Sequence, residues 1–187
     1  MTLRKKNLIY LTGFMGSGKS TIAPILANTL GFSYFDIDKE IEALTSKKIT
    51  EVFSDFGEEY FRELEHNLLL SLSNMDECIV SLGGGTIANQ NNLEIIKTSG
   101  ILVYLRAKPE FILKRLKYKT DRPLIKSIEG KQLSEEQLLF KINQLLKQRE
   151  PYYAQADIVI NTDDKAIGIT VDQLVRELRI MMKKIDK

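Results

Sequence analysis

The chain has 187 residues, 43% hydrophobic and 28% charged, which is the composition of one globular domain and excludes a disordered or collagen-like protein. Its 27 basic and 25 acidic side chains give a formal charge of +2, so there is no general electrostatic attraction to nucleic acid or to a membrane. The one cysteine cannot form an intramolecular disulfide, and no apolar run is long enough for a signal peptide or a membrane span. We therefore expect a cytoplasmic protein with neither nucleic acid nor membrane as a partner.

Short apolar segments alternate with segments whose hydrophobic residues recur at helical spacing. The predicted strands are residues 8–11, 32–36, 78–82, 101–105 and 158–160. The predicted helices are residues 19–30, 38–44, 50–56, 58–73, 92–98 and 109–116, one that starts after Ser134, and 170–184. Strands that are apolar on both faces and separated by helices predict an α/β fold: a parallel, five-stranded sheet between two helical layers.

Residues 117–131 show no clear periodicity. Loops of about 15 residues are usually mobile lids or disordered segments. We predict a single domain over residues 1–187, with a lid at about 117–131 inserted in it.

A phosphate-binding motif follows the first predicted strand and opens the first helix; it reads Gly13-Phe14-Met15-Gly16-Ser17-Gly18-Lys19-Ser20. Glycines let successive backbone N–H groups face one anion, and the helix N-terminus adds a partial positive charge. Lys19 can reach the β- and γ-phosphates, and the Ser20 hydroxyl can bind Mg²⁺. The predicted nucleotide-binding residues of this segment are Gly13, Gly16, Ser17, Gly18, Lys19, Ser20 and Thr21. The loop indicates a nucleoside triphosphate and Mg²⁺ but leaves the reaction open.

Two further features narrow the class of protein. The segment 118–121 lacks the first residue of the guanine-reading element of small switch proteins and does not follow a strand. The apolar strand ending at Leu82 is followed by glycine rather than an aspartate, so another carboxylate must support the metal.

Asp36 and Asp38 stand at the carboxyl end of the second strand, where ligands bind in open parallel sheets. One of them can support the metal and the other can face the phosphate acceptor; alternatively, Asp38 caps the following helix.

Several segments, in this order and spacing, resemble the shikimate kinase family over nearly the whole chain. They are residues 13–20, Asp36-Ile37-Asp38-Lys39-Glu40-Ile41-Glu42, Phe61-Arg62-Glu63-Leu64-Glu65, Gly83-Gly84-Gly85, Asp121-Arg122-Pro123-Leu124-Ile125 and Arg149-Glu150-Pro151-Tyr152-Tyr153. The resemblance implies a five-stranded parallel sheet of the nucleoside monophosphate kinase type. It also implies transfer of the ATP γ-phosphate to the 3-hydroxyl of shikimate, with ATP and Mg²⁺ bound.

The resemblance also assigns roles to individual residues. The implied catalytic residues are Lys19, Asp38 and Arg122, with Arg122 as the lid arginine over the transferring phosphate. The implied substrate-binding residues are Asp38, Arg62, Gly83, Gly84, Gly85 and Arg149, with the two arginines on the substrate carboxylate. The implied metal-binding residues are Ser20 and Asp36. Outside the loop, the implied nucleotide-binding residues are Arg115, which packs against adenine, and Arg122.

The residues alone leave other interpretations open. Arg62 could form a surface ion pair with Glu65, three residues later in the helix. Arg149 could interact favourably with the dipole at a helix end, and Arg115 could be a solvated helix residue. The three glycines could be a flexible connection. Another small-molecule kinase of the same fold, such as a gluconate kinase, fits a cationic site equally well, and a non-catalytic nucleotide-dependent switch is a further alternative. We expect the protein to act as a monomer on a small-molecule substrate.

Overall fold

The computed structural model describes residues 7–116, 133–163 and 165–185. The predicted lid and Arg122 lie outside these residues. The described chain contains one sheet of five parallel strands in the order β2-β3-β1-β4-β5. The strands are β1 (Leu8–Thr12), β2 (Ser33–Asp36), β3 (Cys78–Ser81), β4 (Ile101–Arg106) and β5 (Ile158–Asn161). The five-stranded parallel sheet predicted from the alternating pattern is therefore confirmed.

Seven α-helices connect or follow these strands in the described residues. They are α1 (Lys19–Leu30), α2 (Ile37–Thr45), α3 (Ile49–Leu72), α4 (Gln90–Ser99), α5 (Pro109–Leu116), α6 (Glu135–Tyr153) and α7 (Ile167–Ile185). The bounds of α1 and α5 match the prediction. The two helices predicted at 50–56 and 58–73 meet at Gly57, whose φ of 84° and ψ of 174° interrupt α3. No helix in the described ranges is both long enough and apolar enough to span a membrane.

The sheet is buried on both faces, which explains why its strands are continuously apolar. Leu8 and Tyr10 of β1 point to the side covered by α2, α3 and α4, whereas Ile9 and Leu11 point to the side covered by α1 and α7. All four side chains are 0% exposed. Because successive strand residues face opposite sides, a strand between two helical layers needs apolar residues at every position.

The strand order places three loops at one edge of the sheet. The chain goes from the central β1 outward to β2, returns to β3, and then continues to β4 on the opposite side of β1. The segments after β1, β2 and β3 therefore leave the sheet at its carboxyl edge, next to the point where the strand order reverses. This is where open parallel sheets bind their ligands.

Cys78 begins β3 and is fully buried, and burial raises the pKa of its thiol from 9.0 to about 11. The folded state holds this proton more tightly than the unfolded chain does, so the stabilisation is complete below pH 9 and is lost as the pH rises toward 11. Between these values we expect wild type to lose roughly 2 kcal/mol more stability than Cys78→Ala. Denaturant unfolding of both proteins across this range measures the difference, and parallel curves would contradict it.

Candidate active site

The loop after β1 forms an anion cradle at the start of α1. Gly13 has a φ of +147°, and a methyl group added to it would lie 2.5 Å from the carbonyl oxygen of Leu105. Only glycine combines this backbone conformation with such a close approach. Gly16 and Gly18 also have positive φ values, which turn the loop around a single centre.

The N-terminus of α1 is left open to a ligand. Side chains of Asp36, Asn89 and Ser134 accept hydrogen bonds from the first turns of α2, α4 and α6. The capping position of α1 is instead Gly18, with no side-chain bond and no acidic residue in the first turn. Uncapped N–H groups at a helix N-terminus bind phosphate well, so the geometry fits a nucleotide.

Lys19 lies over this cradle. Its Nζ donates to the carbonyl oxygen of Gly13 and, at 3.4 Å, to that of Phe14. The Ser17 hydroxyl is buried and has no hydrogen-bond partner among the described residues. A half-buried cation and an unpaired buried hydroxyl beside an uncapped helix suit a polyanionic ligand.

Asp36 and Asp38 occupy different positions at the start of α2. The residue that caps the helix is Asp36, not Asp38 as the alternative interpretation had it. Asp36, at the end of β2, caps α2 by accepting from the backbone N–H of Lys39 at 3.3 Å, and it also accepts from the Tyr34 hydroxyl at 3.2 Å. Capping therefore accounts for Asp36 and not for Asp38. Asp38 lies in the first turn of α2 and lines the cavity described below.

The turn after β3 brings charged side chains from three helices together. A methyl group added to Gly83 would lie 3.0 Å from Glu65 Oε1 and 3.3 Å from Asp38 Oδ1. At Gly84 it would lie 2.9 Å from Arg149 Nη1, and at Gly85 it would lie 3.1 Å from Arg62 Nη2. These approaches are tighter than ordinary contacts of a side chain. A side chain at any of the three positions would have to displace a neighbouring charged group.

Arg62 is held by a buried carboxylate. Its Nη1 donates to Glu65 Oε2 at 2.9 Å, and Glu65 also accepts from the Thr86 hydroxyl at 2.6 Å. The side chain of Glu65 is 1% exposed and that of Arg62 is 35% exposed. Burial disfavours the charge on Arg62, but Glu65 and the exposed Glu58 outweigh it and raise the pKa of Arg62. The predicted pair with Glu65 therefore exists, but it is not a solvated surface pair.

Arg149 and Arg115 also line the cavity described below, from α6 and α5. Arg149, near the end of α6, lies 5.6 Å from the centre of the Phe14 ring, within cation–π range. Arg115, in α5, donates to the Gly16 carbonyl at 3.0 Å and to the Thr162 carbonyl. It is thus tied to the backbone of the phosphate loop rather than solvated.

One cavity of about 520 Å³ is lined by all these segments. Every predicted site residue in the described part of the chain lines it except Gly13, whose carbonyl binds Lys19. The described ranges contain no cluster of three or more His, Cys, Asp or Glu side chains placed to hold a metal. Mg²⁺ commonly uses one or two protein ligands together with water and substrate phosphates, so a site without such a cluster is compatible with the predicted ligands Ser20 and Asp36, which both line the cavity.

Comparisons with known proteins agree on one family. The family model described as shikimate kinase matches residues 15–179. The chain is 45% identical to the shikimate kinase of Chlorobaculum parvum over 185 residues, which is 99% of both chains. The chain belongs to the shikimate kinase family. It is an ATP-dependent phosphotransferase, and its relatives at 43–47% identity are shikimate kinases.

Solved structures of shikimate kinases have a fold similar to that of this chain. A structure of shikimate kinase from Acinetobacter baumannii in complex with shikimate has a TM-score of 0.82 and 33% identity, and the alignment covers 92% of each chain. A gluconokinase from Sinorhizobium meliloti has a TM-score of 0.61 at 13% identity, over 97% of both chains. The second likeness shows the shared fold alone. The family and activity predicted from the sequence are confirmed.

Two residues to which the sequence analysis assigned no role also line the cavity. Glu65 appeared only as a possible surface partner, although an acid four residues after the buried Phe61 was a signal that it shares the buried face. Thr162, which follows β5, donates to the Ser17 carbonyl at 2.8 Å and joins the last strand to the phosphate loop. A threonine after a strand carries no such signal, since its partner is far away in sequence.

Proposed function

We propose that this kinase binds ATP and shikimate at opposite ends of the 520 Å³ cavity and transfers the γ-phosphate to the 3-hydroxyl of shikimate. The observation that carries the proposal is the turn Gly83–85. It brings Asp38, Arg62 and Arg149 to three successive residues of one turn, and all three side chains line the cavity. Two arginines and a carboxylate are the recognition groups for an acid with several hydroxyls.

At the nucleotide end, the backbone N–H groups of the loop and Lys19 would hold the phosphates. Lys19 would exchange its bonds to the loop carbonyls for bonds to the β- and γ-phosphates. Ser20 and, through water, Asp36 would hold Mg²⁺, which when bound neutralises phosphate charge. Arg115 would border the base, because it joins the loop to Thr162 at the side of the cavity formed by β5 and α5.

At the acceptor end, Arg62 and Arg149 would bind the carboxylate of shikimate and Asp38 would accept hydrogen bonds from its hydroxyls. The 3-hydroxyl oxygen forms a bond to the γ-phosphorus as the bond to the leaving ADP oxygen breaks, and its proton passes toward Asp38. Because phosphoryl transfer proceeds through a loose transition state, orientation by Asp38 matters more than base strength. On the family resemblance, Arg122 would supply positive charge to the transferring phosphate as the lid closes.

We further propose that the enzyme acts as a monomer in the reducing cytoplasm. Every group assigned above comes from one chain. The single cysteine is buried and has no part in the assigned chemistry.

An ATP-consumption assay with purified protein tests the substrate assignment. We expect ADP release with shikimate and none above background with gluconate, and ³¹P NMR should identify the product as the 3-phosphate. Turnover of gluconate without turnover of shikimate would overturn the proposal. ATP binding with no transfer to either acid would instead indicate a non-catalytic switch.

Gly84→Ala tests the substrate end of the cavity. The added methyl group would lie 2.9 Å from Arg149 Nη1, so the guanidinium must move away from the turn. We expect the shikimate KM to rise about tenfold, the cost of weakening one charge-assisted hydrogen bond, while the ATP KM changes less than twofold.

Gly168→Ala is the matched control, because a methyl group added there meets nothing within 4 Å. It should leave both KM values unchanged. An unaltered shikimate KM in Gly84→Ala would show that Arg149 does not depend on this contact.

A further inference from the structure

Tyr153 ends α6 and has no role in the mechanism above. It follows Arg149 by four residues, so the two side chains share one face of the helix. Its side chain is among the largest that are fully buried, at 0% exposed. A buried tyrosine hydroxyl needs a hydrogen-bond partner, and the partner that Tyr153 has lies in the active site.

The hydroxyl of Tyr153 donates to the carbonyl oxygen of Gly84 at 2.8 Å. Its ring stacks on Tyr104 of β4, with 4.8 Å between ring centres and 25° between planes, which fixes the direction of the hydroxyl. Burial raises the pKa of Tyr153, although the neighbouring Arg149 guanidinium acts to lower it. The shift favours the protonated hydroxyl, which is the form that donates to Gly84.

Gly84, Tyr153 and Arg149 form one contact group. A methyl group at Gly84 would lie 3.6 Å from the Tyr153 oxygen and 2.9 Å from Arg149 Nη1. With its proton on the Gly84 carbonyl, the Tyr153 oxygen presents lone pairs to the guanidinium. The tyrosine thus fixes the distance between the glycine turn and the end of α6, and with it the position of the arginine.

We infer that Tyr153 is a positioning residue for the phosphate acceptor: it orients Arg149 and the Gly84 backbone toward the carboxylate of the bound acid. This inference rests on the substrate-binding role proposed for Arg149. Tyr153 itself touches no reacting atom, and its contribution is to hold the guanidinium in a productive position before the substrate arrives.

Tyr153→Phe, with Tyr104→Phe as the matched control, tests the inference. Both changes remove one buried tyrosine hydroxyl from the same ring stack, but the Tyr104 hydroxyl donates to Glu150 at 2.9 Å rather than to the glycine turn. We expect Tyr153→Phe to raise the shikimate KM about three- to tenfold, the range for loss of one hydrogen bond. The ATP KM should change less than twofold in both variants, and Tyr104→Phe should leave the shikimate KM near wild type.

A rise in the shikimate KM without a rise in the ATP KM distinguishes a positioning role from a loss of stability. An unfolded fraction would lower the apparent kcat and leave both KM values unchanged. An equal rise of the shikimate KM in the two variants, or no rise in Tyr153→Phe, would overturn the inference. In an Arg149→Ala background, Tyr153→Phe should add less than a twofold effect, and full additivity would also overturn it.

The Arg149→Ala variant distinguishes an error in the role of Tyr153 from an error in the proposed substrate-binding role of Arg149. If Arg149→Ala leaves the shikimate KM unchanged, the substrate role of Arg149 is wrong. If it raises that KM strongly while Tyr153→Phe equals wild type, only the role of Tyr153 is wrong.

Discussion

Replacing Lys19 by alanine is expected to lower kcat about 100- to 1,000-fold, the usual cost of removing one preorganised charge from a developing oxyanion. The Lys19 ammonium bonds to carbonyls of its own loop and so lies over the uncapped start of α1. There it can meet the negative charge that grows between the β- and γ-phosphates. Steady-state kinetics with ATP and shikimate measure the effect, and shikimate binding without nucleotide should stay within about twofold of wild type.

Lys97→Ala is the control for this result. Lys97 is an exposed lysine of α4 that donates to Gln155 at 3.4 Å, away from the cavity. The Lys97→Ala variant loses the same positive charge as Lys19→Ala and should retain the full kcat of wild type. A kcat for Lys19→Ala within tenfold of wild type would remove Lys19 from the chemistry, whereas parallel losses in both variants would indicate a general charge effect.

Replacing Arg62 by alanine is expected to raise the shikimate KM about 100-fold and to leave the ATP KM nearly unchanged. A paired guanidinium–carboxylate contact carries two charge-assisted hydrogen bonds, and both are lost. The change also leaves Glu65 buried without its cation. Because Arg62 is 35% exposed, we expect a loss of about 2 kcal/mol in unfolding free energy rather than the larger cost of breaking a fully buried pair.

Arg62→Lys separates substrate recognition from stability. It keeps a cation beside Glu65 but loses the planar fork, so the shikimate KM should still rise about tenfold while stability is largely restored. Arg176→Ala, on the exposed side of α7, is the control for loss of an arginine and should change neither quantity. Equal weakening of shikimate and ATP binding in Arg62→Ala would contradict the assignment.

Much of the fold could be predicted because its signals are local. The central strands are apolar at nearly every position, since both faces of the sheet are covered, and the predicted bounds of α1 and α5 match those of the structure. Gly57 interrupts α3 between the two helices predicted there. The start of α4 lies two residues before the predicted one because Asn89 caps it, and α7 extends beyond its predicted bounds at both ends.

By itself, the sequence determined the phosphate loop, the paired aspartates, the glycine turn and the arginines, because each is a short motif whose chemistry depends on neighbouring residues. Only the tertiary structure decided that Glu65 is buried beneath Arg62, that Tyr153 meets Gly84, and that Thr162 joins the phosphate loop. The deciding bonds join residues 21, 69 and 145 positions apart, at Glu65 with Thr86, Gly84 with Tyr153, and Ser17 with Thr162. Contacts at such separations form only when the folded sheet brings its loops to one edge and removes water from them, and no local spacing encodes that proximity.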